Sequence, residues 1–398
     1  MDEFDFDVPD VDVPEIEPDQ LRDRIEAGED VALIDARMES DFEEWRIDGE
    51  TVDAYNVPYF EFLDEYDPGD LLGDLPEDER ITVVCAKGGA SEFVAANLAE
   101  DGYDVEHLED GMQGWARIYE AREVTGYDGE GIVLQYQRPS SGCLSYLVVG
   151  DGEAAVVDPL RAFADRYRED AAEYDADLTY AFDTHVHADH VSGVRTLDDA
   201  DAVGVVPEPA VEHRPVTYGE RVETAPHGET YAVGGVELEV VHTPGHTSGM
   251  TSYLVDDALL LTGDGLFVES VARPDLESGD EGAPDAARQL HETLQERVLA
   301  LDDDVVVGGA HFGDAADPAA DGTYTARLGD LKAEMDALTM DEAEFVDLVL
   351  ADMPPRPANY EEIIATNLGR ESVGDEEAFE LELGPNNCAA SQGSLTGD

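Results

Sequence analysis

Lysine is almost absent from this 398-residue chain. Only Lys87 and Lys332 occur among its 22 basic residues, which face 96 acidic ones for a formal net charge of −74. A surface so short of cations repels both a phosphodiester backbone and an anionic bilayer, so nucleic acid and membrane are excluded as partners. Cysteine is equally scarce. Cys85, Cys143 and Cys388 are too few and too scattered for a disulfide framework, which fits a reducing compartment. No apolar run approaches the roughly 20 residues that span a bilayer. The opening MDEFDFDVPD has neither the basic nor the apolar region of a signal peptide. A cytoplasmic location is therefore expected.

What remains is globular in composition. Hydrophobic residues make up 42 % of the chain, enough for a sizeable core, and the length suits two or three domains. Carboxylates run from Met1 to Asp398 rather than gathering in one acidic tail. Such a surface repels itself unless concentrated salt shortens the Debye length, to about 3 Å at 1 M. A halophile protein is the expectation; full structure and activity in dilute buffer would remove it.

Two patterns follow each other along the chain. VALIDAR and ITVVCA read as buried strands, SEFVAANLAEDGY as a helix closed by Gly102, and DVEHLEDG as a further strand. That alternation predicts an α/β domain with parallel strands. From Ile132 onward, Tyr146–Pro159 reads as a hairpin about an Asp-Gly turn, followed by further strands and by helical stretches over 286–301 and 328–350. Gly150–Ala155 loosely matches a dinucleotide fingerprint, but a strand rather than a helix follows it, so that reading fails.

Chemistry concentrates at strand ends. His185-Val186-His187-Ala188-Asp189-His190 places three of ten histidines within six residues, just past an apolar strand. Neutral imidazole with carboxylate suits Zn or Fe. Three later strands end likewise, at Thr243–Thr247 with His246, at Leu261–Asp264, and at Gly308–Phe312 with His311. Glycine in each allows a tight turn. His107, His213, His227, His242 and His291 stand outside the series, with surface or packing roles expected; Cys143 is expected to pack, and Cys388 has no motif.

Taken in order, His185, His187, Asp189, His190, His246, Asp264 and His311 resemble the ligand series of the metallo-β-lactamase fold, over roughly Ile132 to Leu331. The resemblance implies an αββα sandwich. Thr262-Gly263-Asp264-Gly265-Leu266-Phe267-Val268 and Val271-Ala272-Arg273-Pro274-Asp275-Leu276 resemble the persulfide dioxygenase branch, with Ala272 where Gly often stands. Pro354–Tyr360 and Ile363–Asn367 are similar to the C-terminal element of those proteins. That branch implies Fe(II) on His185, His246 and Asp264, with His187, Asp189, His190 and His311 orienting ligands or holding a second ion. Asp189 is also a candidate catalytic residue, and Arg273 a candidate for substrate binding. The alternative is a glyoxalase II-like thioester hydrolase, with one or two Zn ions and a hydroxide that attacks the thioester.

The N-terminal half carries a thiol loop, Cys85-Ala86-Lys87-Gly88-Gly89-Ala90-Ser91, between a strand and a helix. Amides of such a turn and a helix N-terminus favour a thiolate or bound persulfide, and Lys87 adds a cation. With Ile34–Arg37, Phe42, Asn56–Pro58, Gly102–Val105 and Gly111–Trp115, the loop resembles a rhodanese domain. That implies Cys85 and Lys87 as catalytic residues and Gly88, Gly89 and Ser91 as the sulfur cradle. Ala90 stands where many rhodaneses have Arg, and Arg46-Ile47-Asp48-Gly49 replaces their His-Ile-Pro-Gly.

The expected layout is an acidic lead-in (1–14), an α/β rhodanese-like domain whose parallel sheet is flanked by helices (15–123), a linker (124–131), the metallo-β-lactamase sandwich (132–331) and a helical extension and tail (332–398). The resemblances together imply a sulfur-metabolism enzyme. It would oxidise a low-molecular-weight persulfide with O2 to sulfite and pass sulfane sulfur through a Cys85 persulfide. Its partners would be a small persulfide or thiol, O2, and sulfite or thiosulfate; a homo-oligomer is expected.

Overall fold

The computed structural model describes residues 8–63, 66–73, 80–198, 202–213, 222–351, 353–391 and 395, without the side chains of Asp70 and His213. They form two compact units. One runs up to Tyr119 and includes Arg138–Ser141; the other comprises Glu120–Gln137 and the chain from Gly142 onward.

The first unit is built on five parallel strands: β1 (Glu15–Ile16), β2 (Val31–Asp35), β3 (Val52–Asn56), β4 (Ile81–Val84) and β5 (Val105–Leu108), in the order β1-β5-β4-β2-β3. Every residue of β2 and β4 is buried, because helices cover both faces of a parallel sheet. Phe93, Val94, Ala95 and Leu98 of the helix Gly89–Glu100 pack with Ile34, Ile81 and Val83 on one side. Leu21, Met112 and Trp115 pack with Leu33 and Val84 on the other. Gly102, just past the helix end, takes φ +98°, a left-handed conformation that costs glycine little.

The second unit is a sandwich of two mixed sheets. Seven strands make the first: β6 (Glu120–Glu123), β7 (Ile132–Arg138), β8 (Cys143–Val149), β9 (Glu153–Val157), β10 (Asp177–Phe182), β11 (Val203–Pro207) and β12 (Glu223–Ala225), neighbours in chain order. Six make the second, again in chain order: β13 (Thr230–Val233), β14 (Val236–His242), β15 (Thr251–Val255), β16 (Leu259–Gly263), β17 (Val306–Gly309) and β18 (Thr325–Arg327). Alternate residues Leu144, Tyr146 and Val148 of β8 meet Leu238 and Val240 of β14 and Tyr253 and Val255 of β15 between the sheets. The outer face of the second sheet is covered by helices: Leu254 and Leu260 pack with Ala287 and Leu290 of Gly279–Thr293 and with Phe345 and Val349 of Glu342–Ala351.

Two sequence expectations change in detail. Residues 124–131, expected as a linker, join β6 to its antiparallel partner β7 inside the second unit, and Val124 is buried there. The helix expected over 328–350 is divided into Leu328–Glu334, a tight turn at Asp336–Thr339, and Glu342–Ala351. Met335 is extended, and the Asp341 carboxylate accepts from the Ala343 and Glu344 amides to start a new helix. Among the described residues no helix is long and apolar enough to cross a membrane.

Candidate metal centre and thiol loop

The histidine-rich segment follows β10, and Asp158 follows its parallel neighbour β9. The Asp158 carboxylate accepts from the Thr184 amide at 2.7 Å and from Thr184 Oγ1 at 2.9 Å. Asp183 accepts from Ser192 Oγ at 2.8 Å, folding the segment back on itself. From far along the chain, Asn367 Nδ2 donates to the carbonyls of His187 (3.0 Å) and His190 (2.8 Å), while its Oδ1 accepts from the Ser192 amide (2.9 Å). Each of these buried polar contacts closes a hydrogen bond that would otherwise be missing. β16 and β17 run parallel with a bulge between Leu261 and Gly263, which sets Asp264 beside His311. Gly263 has φ +53°, and a Cβ there would meet Thr184 Oγ1 at 2.4 Å, so only glycine fits.

Three atoms converge without hydrogen-bond partners: His185 Nε2, His246 Nε2 and Asp264 Oδ2. Both imidazole nitrogens lie near the same carboxylate oxygen, at 3.5 and 3.4 Å. The opposite ring atoms fix the tautomers. His246 Nδ1 is 2.8 Å from the Arg273 carbonyl, which can only accept, so Nε2 carries a lone pair. His185 Nδ1 is 2.9 Å from Thr184 Oγ1, whose proton is given to Asp158, so it too donates and leaves Nε2 bare. Burial, and then His187 nearby, lowers the His185 pKa to about 4; burial lowers that of His246. Two neutral imidazoles and one carboxylate, fully buried and with their converging atoms unsatisfied, fit a metal ion. A cavity of about 410 Å³ opens beside His246, lined also by Pro244, Gly245, Ser248, Pro274 and Gln289.

The remaining members of the series do something else. His187 turns away: its Nε2 faces Asp158 at 3.1 Å and Asp183 at 3.6 Å. Burial opposes its charge, yet Asp158 raises its pKa to about 9. Asp189 Oδ2 is a hub, contacted by Cys143 Sγ (3.1 Å), His190 Nδ1 (3.0 Å) and His311 Nε2 (2.8 Å). His311 Nδ1 contacts Asp264 Oδ1 at 2.7 Å, so this ring bridges two carboxylates. Against burial, Asp264 and Asp189 hold His311 well above the ordinary imidazole range, and Asp189 does the same for His190. Both aspartates are held well below the usual carboxylate range; the imidazoles outweigh burial. Cys143, expected only to pack, is therefore a member of this cluster. Burial and Asp189 push its thiol up, and contacts with His190 and His311 outweigh them and lower it.

Arg273, a candidate for substrate binding, is held within the protein. Its buried guanidinium donates to Asp275 and to the carbonyls of Pro355 and Asn387, which ties C-terminal segments to the centre. Cys388 is brought in by that tail, within 4.8 Å of ligand atoms of Asp264 and His311; burial, then Asp264, push its thiol pKa up. His227, His242 and His291 contact backbone carbonyls as packing groups do, and the side chain of His213 lies outside the described residues. Asp158, Asp183 and Ser192 carried no signal in the sequence beyond being polar, and Asn367 stood out only as the end of the Ile363–Asn367 segment.

In the first unit Cys85 sits at the end of β4, 4 % exposed. Its sulfur accepts the Gly88 amide at 3.1 Å and lies 3.4 Å from Ser91 Oγ, which donates to the Gly88 carbonyl. Gly88 takes φ +93°, curling the loop, and the helix starts at Gly89. Lys87 is on the exposed side of the turn. Gly111 closes the back of the loop: a Cβ there would lie 2.1 Å from the Cys85 carbonyl.

Residues 17–118 match the Rhodanese-like domain and residues 139–311 the metallo-beta-lactamase superfamily. The chain thus carries a rhodanese-like domain followed by a metallo-β-lactamase domain. More particularly, it is 26 % identical to the human protein named persulfide dioxygenase ETHE1, mitochondrial, over 47 % of this chain and 70 % of that one. It is 32 % identical to hydroxyacylglutathione hydrolase of Aeromonas hydrophila, over 42 % of this chain and 59 % of that one. The crystal structure of ETHE1 from Myxococcus xanthus superposes with a TM-score of 0.50 at 27 % identity, covering 63 % of this chain and all (100 %) of that one. A metallo-beta-lactamase of Staphylococcus aureus gives 0.55 at 26 % identity, covering 60 % and 73 %.

Proposed function

We propose that the second domain oxidises a low-molecular-weight persulfide with O2 to sulfite and the free thiol, using one Fe(II) held by His185, His246 and Asp264. The observation that carries this reading is the split of the histidine series. Three unpartnered atoms converge on one point, whereas His187, which a dinuclear hydrolase would use as a ligand, faces Asp158 and Asp183. Asp264 Oδ1, the oxygen that would bridge to a second ion, is taken by His311. Two imidazoles and one carboxylate on one face leave positions open, and Fe(II) bound there would supply sites for O2 and sulfur.

The chain's own residues do the rest. Thr184 and the Arg273 carbonyl hold the two rings in the tautomer that presents Nε2. His311 donates to Asp264 Oδ1, which keeps that carboxylate ionised and oriented. The cavity beside His246 is the approach we assign to the substrate. In the first domain, the Gly88 amide and Ser91 hydroxyl cradle sulfur on Cys85, which passes sulfane sulfur to or from a small acceptor such as sulfite. The similarity to the persulfide dioxygenases supports this reading. The test is metal analysis of the purified protein with O2 uptake on a small-thiol persulfide. One iron per chain and O2 consumption are expected; two zinc ions with thioester cleavage would overturn the reading in favour of the hydrolase.

A further inference from the structure

The cavity beside His246 lies between the loop that carries this residue and the N-terminal half of the helix Gly279–Thr293. Two contacts further along fix that loop on the helix. Thr293 Oγ1 donates to the Pro244 carbonyl at 2.7 Å, and a Cβ on Gly245 would lie 2.6 Å from Leu290 Cα. Toward the helix start the lining residues are small, Ser278, Gly282 and Ala286 on one face, and their size leaves the 410 Å³ open. That volume suits a small molecule. The wall also carries charge of one sign: Glu277 and Asp285 line it, and among the described lining residues none is a lysine or arginine. The Glu277 carboxylate accepts from the Ser248 amide at 2.5 Å and from its hydroxyl at 3.0 Å, which holds it at the wall. Asp285 accepts from Arg288 at 2.5 Å, a residue outside the lining. A helix N-terminus ordinarily welcomes an anion, but Asp280 and Glu281 already occupy the first turn of this one.

We propose that this cavity selects the carrier of the sulfur, and that the persulfide oxidised at the triad is that of a small aminothiol with a free ammonium and no carboxylate. The inference rests on the dioxygenase reading above and names its substrate class. His246 belongs both to the triad and to the cavity wall, so the sulfur end is directed to the triad and the carrier lies along the helix. There an ammonium meets the carboxylates of Asp285 and Glu277. A thiol that bears carboxylates, such as a tripeptide of the glutathione type, meets two like charges and no lining cation to pair with. Juxtaposed like charges reject a ligand, and specificity is the difference between these two outcomes. The whole chain acts in the same direction, because a net charge of −74 draws cations in and repels anions on approach.

The experiment uses the full-length protein at the lowest salt that keeps its circular dichroism native. S-methylcysteamine and S-methylglutathione, which carry no sulfane sulfur and do not turn over, are titrated by saturation-transfer NMR. Wild type should bind the first at least about tenfold more tightly than the second. Asp285→Asn should weaken S-methylcysteamine about tenfold, the loss expected for a hydrogen bond between charged groups. General attraction to the surface would not give that change, since the net charge of −74 moves by one. Ala286→Arg, which places a cation in the wall, should reverse the preference. Equal or tighter binding of S-methylglutathione by wild type, or an S-methylcysteamine affinity unmoved by Asp285→Asn, would overturn the assignment. O2 uptake by the iron-loaded protein separates this inference from the reading beneath it. A higher kcat/KM for glutathione persulfide than for cysteamine persulfide would sink the assignment and leave the dioxygenase standing. No uptake on either persulfide, with Asp285-dependent binding retained, would sink the dioxygenase and leave the cavity as an aminothiol site.

Discussion

Two buried clusters share the second unit and draw on the same residue types, yet their hydrogen bonding is opposite. In the triad of His185, His246 and Asp264, the outer ring nitrogens are satisfied by Thr184 and the Arg273 carbonyl, and the inner atoms are bare. In the cluster around Asp189, the inner atoms point at one another: one carboxylate oxygen takes three contacts. The first arrangement is a site shaped for a cation. The second is a network whose carboxylate and imidazoles contact one another. Counting histidines cannot tell these apart; accounting for each ring nitrogen can.

Asp264→Ala should break the comparison most completely. It removes the one anionic ligand of the triad, so iron content and O2 uptake should vanish, while sulfur transfer through Cys85 persists; Cys85→Ser should do the reverse. Loss of both activities in either variant would show that the two chemistries are not separate. Asp189→Asn comes next. Removing one partner of a buried ion network costs on the order of 3–5 kcal/mol, so denaturant unfolding of the metal-free chain should show a large loss, while iron in the triad stays near one per chain. An equal fall in iron would make Asp189 a ligand of the first site.

Thr184→Val is subtler. It deletes the group that fixes the tautomer of His185, and loss of such an outer partner lowers metal affinity about 10–100-fold. Iron retention against a chelator measures this, and Thr184→Ser should restore it. The smallest effect is at His187, whose folded pKa is raised to about 9 from 6.5. Its stabilising contribution is fully present below about pH 6.5 and is lost as pH rises through about 9. In metal-free protein, the melting-temperature gap between wild type and His187→Gln should thus shrink from about pH 6 to about pH 10. A constant gap would deny the partnership with Asp158.

Much of the fold was legible because hydrophobic runs and glycine punctuation are local signals. VALID and ITVV are fully buried strands, the helix after Cys85 begins at Gly89, and the hairpin from Tyr146 forms about Gly150–Gly152. The helix expected over 328–350 was not legible in detail, since its break depends on Asp341 capping a new start. Asn367 pairs with residues some 175–180 positions away, and no local pattern announces that.

The two folds, the strand-end placement of the ligands and the thiol loop were legible because motif spacing and burial patterns are written along the chain. Tertiary contacts alone turn His187 toward two aspartates, tie Arg273 to the carbonyls of Pro355 and Asn387, and bring Cys143 to Asp189. Those choices turn on which nitrogen, oxygen or sulfur meets which partner across β9, β10, β16 and β17. Side chains distant in the chain find those partners only when the sheets bring them within hydrogen-bond reach.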